Sequence, residues 1–241
     1  MKKYVVIARF DDDTNQKMLS LRDKLMSKGY SVQEWPPHIT LAAYENCDEE
    51  SIKDWIRSFV KSHHEIEVGM NSITILPPSD EHTETAVLCF APTHKKDFVD
   101  FYYQFHDRLD EYCTGIGCYY SKAFNNPIFH SSIGVFNVNC LQDVMNIIFS
   151  SDAFGSAKIN ALELYTYPMQ LIERYELTNE HQIFLNQQSR QLLQIVNKTA
   201  VLPWISGVLV RAKIINVGAK AISAFAPTFI MKKIVQQNII P

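Results

Sequence analysis

The chain has 241 residues, 46% of them apolar, so it can bury a sizeable core without being clearly long enough for two full domains. Its formal net charge of -3 gives no global signature of a nucleic-acid binder, although a nucleotide pocket needs only local positive charge. Cys47, Cys89, Cys113, Cys118 and Cys140 form an odd set without CxxC spacing, which points to reduced, structural thiols.

Taken in order, Met1 to Phe10 begins basic and turns apolar. It meets Arg9 and then Asp11-Asp12-Asp13 too soon for a signal sequence, so a first strand over Tyr4–Phe10 and a cytoplasmic protein are expected. Asp12 or Asp13 caps a helix that runs to about Lys28, with Met18, Leu21, Leu25 and Met26 at helical spacing and Gly29 as its stop. Trp35-Pro36-Pro37 cannot continue a helix and leads into a strand beginning at His38. Asp48-Glu49-Glu50 opens a second helix, with acids placed to suit its dipole. Glu65–Leu76 reads as one long strand, or two with a break near Gly69, and Thr85–Phe90 as another. Thr93 is the expected cap of a helix from His94 to about Tyr112. Pro127 leads into a strand beginning near His130. A short helix over Leu141–Phe149 and two strands, Lys158–Tyr167 and Gln170–Leu177, complete the pattern.

The element order repeats. Each half reads strand, helix, histidine strand, helix, then further strand, which is a diverged internal duplication. The expected fold is α/β (α+β): a bilobal, duplicated, pseudo-two-fold architecture. Two antiparallel-rich sheets face a central cleft, with helices outside. This domain spans residues 1–178. Beyond it, residues 179–241 form a basic and apolar extension with no acid past Glu180. Its uncharged runs fall short of the roughly 20 residues a membrane-spanning helix needs. An RNA or membrane-surface contact, or a packing segment, would account for that composition.

The two histidine strands carry the chemistry. In His38-Ile39-Thr40-Leu41 the alternation of a strand puts His38 and Thr40 on one face. In His130-Ser131-Ser132-Ile133 it does the same for His130 and Ser132. A lone histidine on a strand is most often a satisfied polar residue, and His63, His64, His82, His94, His106 and His181 are read that way. A pair at matching places in a repeat is different. Two imidazoles with pKa values near neutrality can serve as general base and general acid in one site. Thr40 and Ser132 supply hydroxyls suited to the non-bridging oxygens of a phosphate. There is no Gly-rich phosphate loop and no acidic metal cluster, and the spacing of His63-His64 and Cys113/Cys118 matches no common zinc pattern. No cofactor and no metal are therefore expected.

The two segments resemble the paired His-x-Thr/Ser motifs of the 2H phosphoesterase superfamily, which includes 2′,5′-RNA ligase-like proteins and cyclic nucleotide phosphodiesterases acting on RNA ends. The resemblance runs through element order from about Lys3 to Thr178 and rests sharply on the two motifs. It implies His38 and His130 as the acid–base pair and Thr40 and Ser132 as phosphate holders. The second motif carries Ser where the first carries Thr. Trp35, Tyr44, Tyr119, Tyr120 and Phe124 are candidates for stacking on a base. Lys122 and Arg9 are candidates for positive charge near the phosphate. The expected activity is metal-independent opening of a 2′,3′-cyclic phosphate, or cleavage of a 2′,5′ linkage, on a nucleotide or RNA end, by a monomer. A module that binds RNA ends without turnover, and a 2′,5′-RNA ligase, are the rival readings.

Overall fold

The computed structural model describes residues 2–78, 80, 83–124 and 128–178. The C-terminal extension, with the helix expected at 185–196, lies outside the described residues.

Eight strands and four α-helices occur among the described residues. They are β1 (Lys3–Phe10), α1 (Asp12–Ser27), β2 (His38–Glu45), α2 (Glu49–Ser62), β3 (Ile66–Met70), β4 (Ser72–Leu76), β5 (Thr85–Ala91), α3 (Lys96–Phe105), β6 (Ser131–Asn137), α4 (Leu141–Phe149), β7 (Gly155–Thr166) and β8 (Gln170–Glu176). The cap of α1 is Asp11, one residue before the expected aspartates, and its side chain accepts the Thr14 N–H. Asp48, at the acidic start expected of α2, caps it, its side chain accepting the Ser51 N–H.

The strands form two antiparallel sheets. One has the order β2-β1-β7-β3, with β8 also pairing β7; the other has the order β4-β5-β6. The halves of the chain therefore exchange strands. The long 65–76 segment breaks at Asn71: β3 pairs with β7 in the first sheet, and β4 crosses to pair with β5 in the second. In return β7, from the second half, lies along β1. Each motif strand then sits at one edge of a β2-β1-β7 or β6-β5-β4 trio. One continuous core joins both sheets and all four helices, including Val6, Phe10, Leu21, Ile39, Phe59, Phe90, Phe98, Phe136 and Ile148. The opposite face of the first sheet carries only a small apolar cluster of Val5, Ile7, Ala43 and Tyr165.

The α3 region departs from the expected long helix. It starts at Lys96 without a side-chain cap and ends at Phe105. Leu109 then adopts φ 64, which no helix interior accommodates, and the chain continues as short 3-10 turns over Asp110–Tyr112 and Gly115–Tyr120.

The segment before β2 fastens the second sheet. Its Gln33 N–H donates to the Ile133 carbonyl at 2.9 Å. The two backbones approach so closely that a Cβ on Gly134 would lie 2.8 Å from the Ser31 carbonyl oxygen and 3.0 Å from the Val32 Cα. Backbone cannot retreat as a flexible side chain does. Gly134→Ala is therefore expected to cost about 1–3 kcal/mol of stability, as overpacked sites do, measured by urea unfolding.

Candidate active site

Both motif strands are built in the same way. In β2, Ile7 pairs with Thr40 but Val6 pairs with Ala42, so Leu41 is an extra, bulged residue. In β6, Cys89 pairs with Ser132 but Leu88 pairs with Gly134, so Ile133 is bulged. Each bulge thus falls directly after the Thr or Ser of its motif. A bulge re-aims the side chains on either side of it, because two residues oppose one and the alternation resets. Before the bulge, Ile39 enters the core while His38 and Thr40 face away from it; after the bulge, Ala42 and Tyr44 enter the core.

That reset corrects one expectation. Strict alternation would carry Tyr44 to the face of His38, but the bulge turns it into the main core, where it is fully buried. Tyr44 is not a stacking residue. Its hydroxyl is buried without a hydrogen-bond partner, and burial drives its pKa well above the ordinary tyrosine value.

The two imidazoles are held by equivalent bonds. His38 Nδ1 lies 2.6 Å from the Pro36 carbonyl oxygen, and His130 Nδ1 lies 2.7 Å from the Ile128 carbonyl oxygen. A carbonyl only accepts, so each Nδ1 carries the proton and donates. In each neutral ring this leaves the Nε2 lone pair free for chemistry. Each bond spans two residues back along the chain, so the local fold of each motif fixes its own tautomer.

His38 is only 8% exposed. Burial pushes its pKa down to about 4; the Pro36 carbonyl opposes this, while the charges of Arg9, Arg22 and His130 lower it further. Strands β2 and β6, which carry the two motifs, touch although they belong to different sheets. His130 is the more exposed of the two.

Arg9 lies directly across the ladder from His38, which settles its face. Its Nη1 donates to the Pro37 carbonyl at 2.9 Å, and its Nε lies 3.2 Å from Glu163 Oε2, too poorly aligned for a hydrogen bond. Glu163 also accepts from Tyr165 at 2.7 Å and from Arg174 at 2.9 Å. Burial lowers the pKa of Arg9, and the carboxylate of Glu163 opposes this.

Arg22 is a site residue that sequence reasoning missed. It is 5% exposed on α1, and its guanidinium reaches both motifs: Nη1 donates to the Trp35 carbonyl, and Nη2 donates to the Ser132 carbonyl at 2.8 Å. Burial lowers its pKa to about 10, and the neighbouring charge of Arg9 adds to the shift. A signal was present. Arg22 falls four residues after Met18 and three before Leu25, on the apolar stripe of α1 rather than its polar face.

The remaining candidates separate clearly. Thr40 and Ser132 are partly exposed, and the Cys89 thiol lies 3.7 Å from Ser132 Oγ. Tyr120 packs on the small apolar cluster beside Thr40. Trp35 sits over His38, with ring centroids 5.9 Å apart and a 31° tilt. Tyr119 and Phe124 are exposed and pack edge-on against each other at 5.2 Å. Lys122 is committed elsewhere, paired with Asp107 at 2.5 Å, which weakens its case as a phosphate ligand.

Fold and site together define a two-lobed α/β protein with one bulged His-x-(Thr/Ser) strand in each sheet. No protein-family model and no curated protein matches the sequence. Among solved structures, the chain is similar to Usb1 of Kluyveromyces marxianus, at 15% identity and a TM-score of 0.39, over 73% of this chain and 98% of that one. The structure of the same protein with uridine monophosphate gives 14% identity and a TM-score of 0.40, over 73% and 98% of the two chains. TT0787 of Thermus thermophilus gives 10% identity and a TM-score of 0.47, over 75% of this chain and all (100%) of the other. Among the described residues, no helix is long and apolar enough to cross a membrane.

Proposed function

We propose that this chain is a phosphodiesterase of the 2H type that opens a 2′,3′-cyclic phosphate at a nucleotide or RNA end. The observation that carries the reading is the equivalence of the two imidazoles: each Nδ1 is tied to a carbonyl two residues back, on matching bulged strands. Two such rings leave two Nε2 atoms for one proton-transfer cycle.

The roles follow from charge. A general base must be unprotonated, and His38, with its pKa pushed down to about 4, is neutral at physiological pH. Its Nε2 takes a proton from water as the water oxygen bonds to phosphorus. The acid's part falls to His130, whose protonated Nε2 donates to the leaving ribose oxygen as its bond to phosphorus breaks. Thr40 and Ser132 donate to the non-bridging oxygens, and the guanidinium charges of Arg9 and Arg22 favour the developing negative charge. Cleavage of a 2′,5′ linkage would use the same pair, with a ribose hydroxyl in place of water.

The test is turnover of a 2′,3′-cyclic nucleotide by the full chain in EDTA, with the product identified as a 2′- or 3′-monoester. Expected is one monoester formed at an undiminished rate in chelator. RNA binding that weakens steeply with salt, with no product formed, would instead make the site a binding module and overturn the proposal.

A further inference from the structure

The bulge at Leu41 leaves that residue's backbone outside the β1–β2 ladder. A buried carbonyl without a partner is costly, so something must satisfy it. That partner is His106, at the end of α3 and 1% exposed, whose Nε2 lies 2.9 Å from the Leu41 oxygen. Its other nitrogen, Nδ1, lies 2.9 Å from Asp110 Oδ1. The carboxylate of Asp110 also accepts the Lys122 N–H, at 3.0 and 3.2 Å to its two oxygens.

Both neighbours of the ring are acceptors. The Leu41 carbonyl cannot donate, so Nε2 carries a proton. A bare Nδ1 would then place a lone pair against a carboxylate oxygen, so a proton also lies on the Nδ1–Oδ1 line. Cys113 Sγ lies near enough for the trio to suggest a cation instead, with all three ligand atoms within 4.8 Å of one another. Geometry argues for the proton. Two ligands on a tetrahedral zinc with bonds of about 2.0–2.1 Å stand roughly 3.3 Å apart, and the observed 2.9 Å is a hydrogen bond's length.

The geometry points to His106 as a positioning residue whose Nε2 bond locks the bulge at Leu41 and thereby fixes Thr40 and His38 on the face where the proposed reaction occurs. This rests on the phosphodiesterase reading for its kinetic consequence, but not for its structural one. Burial lowers the pKa of His106, against the pull of the Leu41 carbonyl and Asp110. In the other sheet the bulge carbonyl of Ile133 is satisfied by the Gln33 N–H instead. Each bulge therefore has a dedicated donor from outside its sheet.

Two isosteric variants separate the ring's two jobs. In His106→Gln the amide nitrogen replaces Nε2 and keeps the bond to Leu41. In His106→Asn it replaces Nδ1, keeps the bond to Asp110 and abandons Leu41. Expected is a kcat within about threefold of wild type for Gln, and a loss of about tenfold or more for Asn, with KM little changed in both. Amide hydrogen exchange at residues 40–43 should quicken in Asn alone. Equal behaviour of the two variants in both measurements overturns the inference. A wild-type chain without turnover defeats the phosphodiesterase reading only, because the exchange result still decides the clamp. Histidine nitrogen NMR on the wild type needs no variant to fold: a His106 Nε2 without a proton also overturns it.

Discussion

Alanine at His38 or at His130 is expected to lower kcat on a 2′,3′-cyclic phosphate by about a hundredfold or more, the usual scale of general acid–base catalysis. Each variant removes one Nε2 and leaves the carbonyl that held the ring free to take water. The fold should survive, since each ring's hydrogen bond is to a carbonyl only two residues back along the chain. The double variant should be little worse than either single one, because the two rings serve one proton cycle. The pH profile distinguishes their roles. His38 must be unprotonated to act as base, so kcat/KM should fall as pH drops through the pKa of His38, near 4 rather than 6.5. That acidic limb should disappear in His38→Ala and persist in His130→Ala. Wild-type rates in both variants would defeat the mechanism.

Arg22→Met is expected to act on both stability and activity. The guanidinium ties the Trp35 carbonyl, just before the first motif, to the Ser132 carbonyl within the second. Methionine fills much of the same volume but leaves both carbonyls without a donor. Hydrogen bonds to charged groups and unsatisfied buried acceptors put the loss at about 3 kcal/mol, read by urea unfolding. Arg22→Lys should recover little, because an ammonium cannot reproduce the fork that spans two acceptors. Activity should fall further than stability explains, since the loss also frees one motif to shift relative to the other. A fully active, stable Arg22→Met would show that the motifs are held together without this bridge.

Much of the architecture was legible in local chemistry. Aspartates before the first two helices, prolines before the motif strands and a repeated His-x-hydroxyl pattern all act over a few residues, so the chain alone fixes them. The alternation that paired His38 with Thr40 and His130 with Ser132 is equally local. The misplacement of Tyr44 shows where that logic stops. A bulge is a property of two strands in register, and nothing within His38–Glu45 announces that Leu41 will stand outside the ladder. The exchange of β4 and β7 between the sheets likewise depends on partners far apart in the chain.

The sequence by itself therefore determined the two motifs, the order of the elements that carry them and the residue types available for acid–base work. Tertiary structure decided which face each side chain takes beyond the bulges. It also decided that Arg22 and His106, ordinary polar residues along the chain, hold the motif strands. The physical reason is that a buried carbonyl or charge must find its partner wherever packing provides one, and that partner is set by contacts in space rather than by neighbours in sequence.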